Sequence, residues 1–276
     1  MPIGGIAALV STGSSYHAMG KWRIDPTSEA PAFSSSGTGP AIARVAGNKD
    51  FTGQVEAYGH TPPVIPGTGF TFNGSMDGTN GATGAAMCAG CSIQIRQETG
   101  EPIKHILSFE GNGALTLGAA VGAADAVVQT PFPSTGLLFK YDPIGAGAEV
   151  TLDDVRQVDL GITKQLHAYA SSSTAGVKKR IAGVLDAEVS VQMYVTDPAD
   201  IPTRGEMSAL KVYVTDTLFW LLEYAICTDI SGIEVDRETG AIVGCTVKWM
   251  YSSVAVIAGT ATAGAITTPA GVDWFP

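Results

Sequence analysis

Hydrophobic and polar residues alternate with period two in two well-separated stretches, Gln54–Tyr58 and Glu188–Val195. Such alternation predicts strands with one buried face: Val55 and Ala57, or Val189, Val191 and Met193, point inward, while Glu56, Tyr58, Glu188 and Tyr194 point outward. Each stretch runs into a Pro-x-x-Ile-Pro-x-x-Gly segment, Pro62, Ile65, Pro66 and Gly69 in the first case and Pro198, Ile201, Pro202 and Gly205 in the second. The prolines stiffen the connection, and the glycine permits a positive φ where the next strand begins. Beyond it, Leu218, Leu221, Leu222 and Ala225 share one face of a helix predicted over Leu218–Ile226 and capped by Asp216, with the glycine-rich Ala82–Ala89 as its match. A hairpin closes each series. Ile93 and Ile95 precede a turn at Glu98-Thr99-Gly100, and Ile103, His105, Leu107 and Phe109 follow it. The second hairpin has Ile233 and Val235, a turn at Glu238-Thr239-Gly240, then Val243, Cys245, Val247 and Trp249.

The two series are a repeat. At a shift of 136, Arg44–Gly69 and Arg180–Gly205 are identical at 10 of 26 positions, among them Arg44/Arg180, Asp50/Asp186, Val55/Val191, Tyr58/Tyr194 and Pro66/Pro202. Ala32-Phe33 matches Ala168-Tyr169 at the same shift, and the segment ending Glu98-Thr99-Gly100 matches the one ending Glu238-Thr239-Gly240 at a shift of 140. Collinear matches of this kind indicate a tandem duplication. The expected division is an N-terminal arm over 1–20, a first copy over 21–110, a linker over 111–149, a second copy over 150–255 and a C-terminal extension over 256–276. Arg44, Asp50, Arg180 and Asp186 recur as a candidate charge pair, within or between subunits.

Composition narrows the function. With 45% hydrophobic and 15% charged residues, the 276-residue chain is ordered and turn-rich. A net charge of −10 without a basic run argues against phosphate-neutralising nucleic-acid binding. Cys88-Ala-Gly-Cys91 is a lone CxxC, so with Cys227 and Cys245 it reads as buried small apolar side chains of a reducing cytosol. His17, His60, His105 and His167 show no metal spacing, and His105 and Cys245 at one repeat position point to core roles. Asp77-Gly-Thr-Asn80 reads as a polar turn rather than a calcium loop. The start of the chain lacks a basic stretch ahead of its apolar one, and Ser252–Val272 is broken by Gly, Thr and Pro269, so neither export nor a membrane span is expected. No nucleophile elbow, P-loop or dinucleotide fingerprint occurs, and the repeated positions are scaffold residues. The chain therefore reads as a non-enzymatic protein without a cofactor.

Taken together, the strand, Pro/Gly loop, strand, helix and closing hairpin at Glu98-Thr99-Gly100, repeated from Glu188 to Trp249, resemble the major tail tube protein of long-tailed, siphovirus-like bacteriophages in its duplicated form. The resemblance implies a mainly β fold: two tandem β-sandwich or barrel domains, each with a flanking α-helix, plus extended arms and a linker. It further implies trimers with pseudo-sixfold symmetry, stacked into a tube within the virion tail and assembled in the host cytoplasm. Its partners would be further copies, other tail proteins and DNA that passes without specific binding. On this reading Glu56, Glu98, Glu110, Glu188, Glu234 and Asp236 are candidates for the lumen, where like charge keeps phosphates from sticking. The two Pro/Gly loops are candidates for ring stacking. The alternatives are a capsid decoration or baseplate ring protein, a tube of a bacterial contractile or secretion system, and a secreted carbohydrate-binding or adhesin module.

Overall fold

The computed structural model describes residues 10–12, 15, 16, 18–34, 37, 42–121, 133–135, 137–145, 148–152, 154–195, 197–233, 243–257, 260–272 and 274, the side chains of 10–20, 200, 256 and 257 excepted. Its first half holds β1 (Val10–Thr12), β2 (Ser15–Tyr16), β3 (Ala18–Ser28), β4 (Ala32–Phe33), β5 (Ala43–Arg44), β6 (Lys49–Tyr58), β7 (Gly69–Ser75), β8 (Asn80–Arg96) and β9 (Lys104–Ala120). The second holds β10 (Phe139–Pro143), β11 (Val150–Leu152), β12 (Val155–Tyr169), β13 (Lys179–Tyr194), β14 (Met207–Tyr213), β15 (Phe219–Ser231) and β16 (Gly244–Tyr251). β17 (Val254–Ile257), β18 (Thr260–Ala263) and β19 (Ile266–Thr267) complete it. Fifteen of these strands join one antiparallel sheet.

The fold is mainly β, but the expected flanking helices are absent among the described residues. Leu218–Ile226 falls in β15 and Ala82–Ala89 in β8. The spacing of Leu218, Leu221, Leu222 and Ala225 masked a second periodicity, in which Trp220, Leu222 and Tyr224 alternate into the core. Aromatic side chains favour a strand, and β14 and β16 satisfy the backbone of β15. Asp216 lies in the turn between β14 and β15, where Val214 and Thr215 donate to the Leu218 carbonyl. The residues expected to be a linker also carry structure: 111–120 extend β9, and β10 places Phe139 and Tyr141 in the core.

The two halves carry the same strand order. β3–β6–β9–β8–β7 of the first runs parallel in logic to β12–β13–β16–β15–β14 of the second. Their irregularities coincide as well. The bulge between Met19 and Lys21 recurs between Val155 and Gln157, and the bulge between Cys88 and Gly90 recurs between Cys227 and Asp229. Each half folds its sheet back on itself to enclose apolar side chains. Phe72 on β7 lies 5.7 Å from Trp22 on β3 and 4.9 Å from Phe109, ring centre to ring centre, although β3 and β7 end opposite sides of the strand order. In the second half Phe139 of β10 lies 5.2 Å from Trp249 of β16. Val55, Ala57, Val189, Val191 and Met193 are buried as their alternation predicts.

The turn at Glu98-Thr99-Gly100 joins β8 to β9, with Gly100 at φ 63° and Ile93, Ile95, Ile103, His105, Leu107 and Phe109 buried. In the second half Cys245, Val247 and Trp249 are buried, but Ile233, which follows Gly232 at φ 73°, is 53% exposed. Val235 and the turn at 238–240 lie outside the described residues.

Candidate functional site

The halves meet along an edge of β8. Its Gly81–Met87 segment pairs with β7, and past the Cys88/Gly90 bulge the same edge is free to take another strand. There Gly90–Arg96 pairs antiparallel with Gln157–Thr163 of β12. The result is a continuous run of eight strands, β3–β6–β9–β8–β12–β13–β16–β15. Because directly opposed residues share a face, Lys21, Glu56, Ile106, Ser92, Gly161, Glu188 and Met250 form one row across it. This face is the polar one; the core lies behind it.

Three of the acidic candidates, Glu56, Glu110 and Glu188, share the polar face, together with Asp159 and Asp186. Glu56 pairs with Lys21 at 3.0 Å. Glu110 pairs with Arg180. Glu188 is exposed and makes no ion pair among the described residues. Glu98 sits at the end of the face in the β8–β9 turn and pairs with Arg156 at 2.5 Å. Glu234 and Asp236 lie outside the described residues. A shallow depression of about 280 Å³ on this face is bordered by Asp159, Asp186 and Glu188 and floored by small residues such as Ser92 and Gly161.

Two clusters hold the junction together. At one end Arg96 pairs with Asp159 at 2.6 Å, and Arg156 lies over the Tyr194 ring, 4.7 Å from its centre. At the other, Arg180 of β13 crosses to the first half. Its guanidinium donates to Asp50 Oδ1 at 2.9 Å and Oδ2 at 2.7 Å, and also to Glu110 and the Gly111 carbonyl. Its backbone N–H donates to Asn112 Oδ1 at 2.8 Å. Burial works against the charge of Arg180, but hydrogen bonds to Asp50 and Glu110 outweigh it and hold the pKa above its ordinary value. Beside it, Lys178 pairs with Glu29 at 2.9 Å.

Of the four repeated charges, then, Arg180 is buried and joined to the half-buried Asp50, while Arg44 and Asp186 are both exposed, with no ion pair among the described residues. Sequence comparison missed Glu110 and Asn112 as partners of Arg180. Their counterparts are Met250 and Ser252, so the repeat gave no signal there.

The Pro/Gly loops are packed at their prolines: Pro62, Pro66 and Pro202 are buried, Ile65 and Ile201 half-buried, and Pro198, Gly69 and Gly205 exposed. The expected positive φ is found at Gly205 (85°) but at Gly67 (89°) instead of Gly69. Hydrogen bonding explains the difference. Gly67 N donates to Cys88 O and Gly205 N to Cys227 O, so Gly67 is the counterpart of Gly205, and Cys88 that of Cys227. The first loop also touches the second half, since a Cβ on Gly67 would lie 2.6 Å from the Lys164 side chain.

All four cysteines are buried, as are His105 and Cys245. Burial pushes the Cys88 thiol up to about 12 and Cys227 up to about 11, and raises Cys91 and Cys245. Asp77 closes a turn by accepting from the Thr79 N–H at 2.8 Å and the Asn80 N–H at 2.5 Å. What the arrangement offers is surface: a charged sheet face on which Asp159, Asp186 and Glu188 lie among Arg96, Lys104 and Lys248, and strand edges left open on β3 and on β15 beyond Cys227 among the described residues.

No family model matches the chain, and no curated protein matches it. Among solved structures, it is similar to a chain of the anti-feeding prophage baseplate, from a sixfold-symmetrised cryo-EM structure. That likeness has 11% identity, covers 45% of this chain and 93% of the other, and has a TM-score of 0.38. It is also similar to a chain from the tail of an empty GTA particle refined with C6 helical symmetry, with 18% identity, 46% of this chain and 94% of the other covered, and a TM-score of 0.34.

Proposed function

We propose that this chain is a non-enzymatic structural protein of a phage-type virion tail: a duplicated tail tube protein whose copies, residues 21–110 and 150–255, line a conduit for DNA. The observation that carries the reading is the β8–β12 junction between halves of like strand order. β8 of the first half receives β12 of the second, and their counterparts, β15 and β3, keep open edges among the described residues. Joining β15 of one chain to β3 of the next repeats the internal junction. Contacts of this head-to-tail kind close into a ring when the rotation per step divides the circle. Three chains then place six like units around an axis, and closure covers the open edges of β3 and β15.

The polar face would line the conduit, where the exposed Glu188 presents like charge to phosphate. The Pro62–Gly69 and Pro198–Gly205 loops lie at turns between strands and would meet the neighbouring ring or other tail proteins. Electron microscopy of the purified chain tests the reading. Hollow rings or filaments of rings support it, and a chain that stays dispersed as monomers up to the highest attainable concentration speaks against it.

A further inference from the structure

We infer that Arg44 of one chain pairs with Asp186 of a second copy, as Arg180 pairs with Asp50 inside the chain. The inference rests on the ring reading and names the contact that closes it. The two arginines sit on hairpins of the same construction. Arg180 faces Ala168, and Arg44 faces Ala32, the residue 136 positions earlier. Gly183 and Gly47 mark the same close approach in each hairpin, where a Cβ would come within 2.9 Å of His167 and 2.8 Å of Glu29. The two aspartates also match in register: Asp50 opposes Thr27, and Asp186 opposes Thr163. Inside the chain, the arginine hairpin of the second half reaches the aspartate of the first. The hairpin of the first half has no counterpart to reach within the chain, so Arg44, on the separate β4–β5 pair, and Asp186, on β13, are left exposed with no ion pair among the described residues.

The neighbouring side chains fit the same placement. The internal junction uses Lys178 with Glu29, and Glu110 beside Asp50. At the corresponding positions stand Ile42, Gln165 and Met250. Ile42 is 65% and Met250 42% exposed in the single chain, and both would be covered when the hairpin of the next chain docks. The contact between chains is thus a less charged version of the one within. It keeps the arginine–aspartate pair and has Ile42 for Lys178, Gln165 for Glu29 and Met250 for Glu110. A pair that becomes desolvated on docking sets register and partner more than bulk affinity.

Charge reversal and crosslinking test the pair together. Arg44→Glu or Asp186→Arg should lower ring formation at least about tenfold, and the double variant should restore it. Both residues are exposed, so unchanged circular dichroism of each monomer is expected and separates lost docking from lost folding. In a chain carrying Arg44→Cys with Asp186→Cys, a short thiol-to-thiol crosslinker should give covalent dimers and trimers, because the native cysteines are all buried. Rings that form normally with either single reversal, and that yield no crosslinked product, would overturn the pair while leaving the ring intact. Absence of rings in the unaltered chain would instead remove the ring reading on which it rests.

Discussion

Arg180 grips both carboxylate oxygens of Asp50, 130 residues away, with its side chain only 4% exposed. Removing one member of such a pair strands the other in a partly dehydrated site. Arg180→Ala is therefore expected to destabilise the folded chain by about 3–5 kcal/mol, and Arg180→Lys to recover only part of that loss, because an ammonium cannot span two oxygens. Arg44→Ala, at the matching but exposed position, should stay within about 0.5 kcal/mol. Urea denaturation of the monomer compares the three; equal losses at both arginines would contradict the assignment.

His105 gives a pH dependence. Burial lowers its pKa from 6.5 to about 4, while Nδ1 donates to the Gly59 carbonyl at 3.3 Å. Between those values the unfolded chain takes up a proton that the folded chain refuses. Stability is thus full above pH 6.5 and declines as the pH falls, by about 3 kcal/mol near pH 4. His105→Cys, which copies the buried Cys245 of the second half, should flatten that slope. A midpoint that drops equally in both proteins over this range would show that other groups carry the effect.

The buried thiols should be inert. With Cys88 raised to about 12 and Cys227 to about 11, thiolate is scarce at pH 8, and the reagent has no path to the sulfur. An aromatic disulfide reagent should titrate none of the four in the native chain and all four in denaturant. Rapid reaction of Cys88 and Cys91 in the native chain would revive a redox role for the pair.

Two glycines in the β8–β12 junction differ in their tolerance. A Cβ on Gly90 would lie 2.8 Å from the Ile162 carbonyl, whereas one on Gly161 would lie 3.9 Å from the Glu188 carbonyl. Gly90→Ala should therefore cost about 1–3 kcal/mol through forced strand separation, and Gly161→Ala little. Thermal melts distinguish them, and a tolerant Gly90 would mean that the two strands pair less closely.

A mixture of single charge reversals probes the ring size. Chains with Arg44→Glu accept chains with Asp186→Arg on both sides, so only strict alternation satisfies every contact. A ring of three cannot alternate. Equimolar mixing should therefore leave closed rings scarce, although the double variant forms them; efficient rings from the mixture would point to an even number of chains.

Much of the fold was legible because strand alternation survives divergence. Val189, Val191 and Met193 declare their buried face, and the hairpin at Glu98-Thr99-Gly100 declares its turn. The helices were misread because Leu218, Leu221, Leu222 and Ala225 satisfy a helical period by coincidence, while the backbone partners that decide the matter come from strands distant in sequence. Ungapped alignment sets Gly69 against Gly205, but Gly67 is its partner in hydrogen bonding, since the first loop is two residues shorter before its strand. That same offset hid the equivalence of Cys88 and Cys227. At the site, the repeated Arg and Asp could be read from sequence, but not which half each would face. Their second acceptor, Glu110, has no acidic counterpart to betray it.

Mass measurement on intact particles, with electron microscopy of the same sample, tests the central claim most directly. The account predicts rings with the mass of three chains and six similar lobes, alone or stacked in hollow filaments. Particles with the mass of one chain, or closed pairs related by a twofold axis, would contradict it, because a twofold contact cannot repeat the β8–β12 junction from chain to chain.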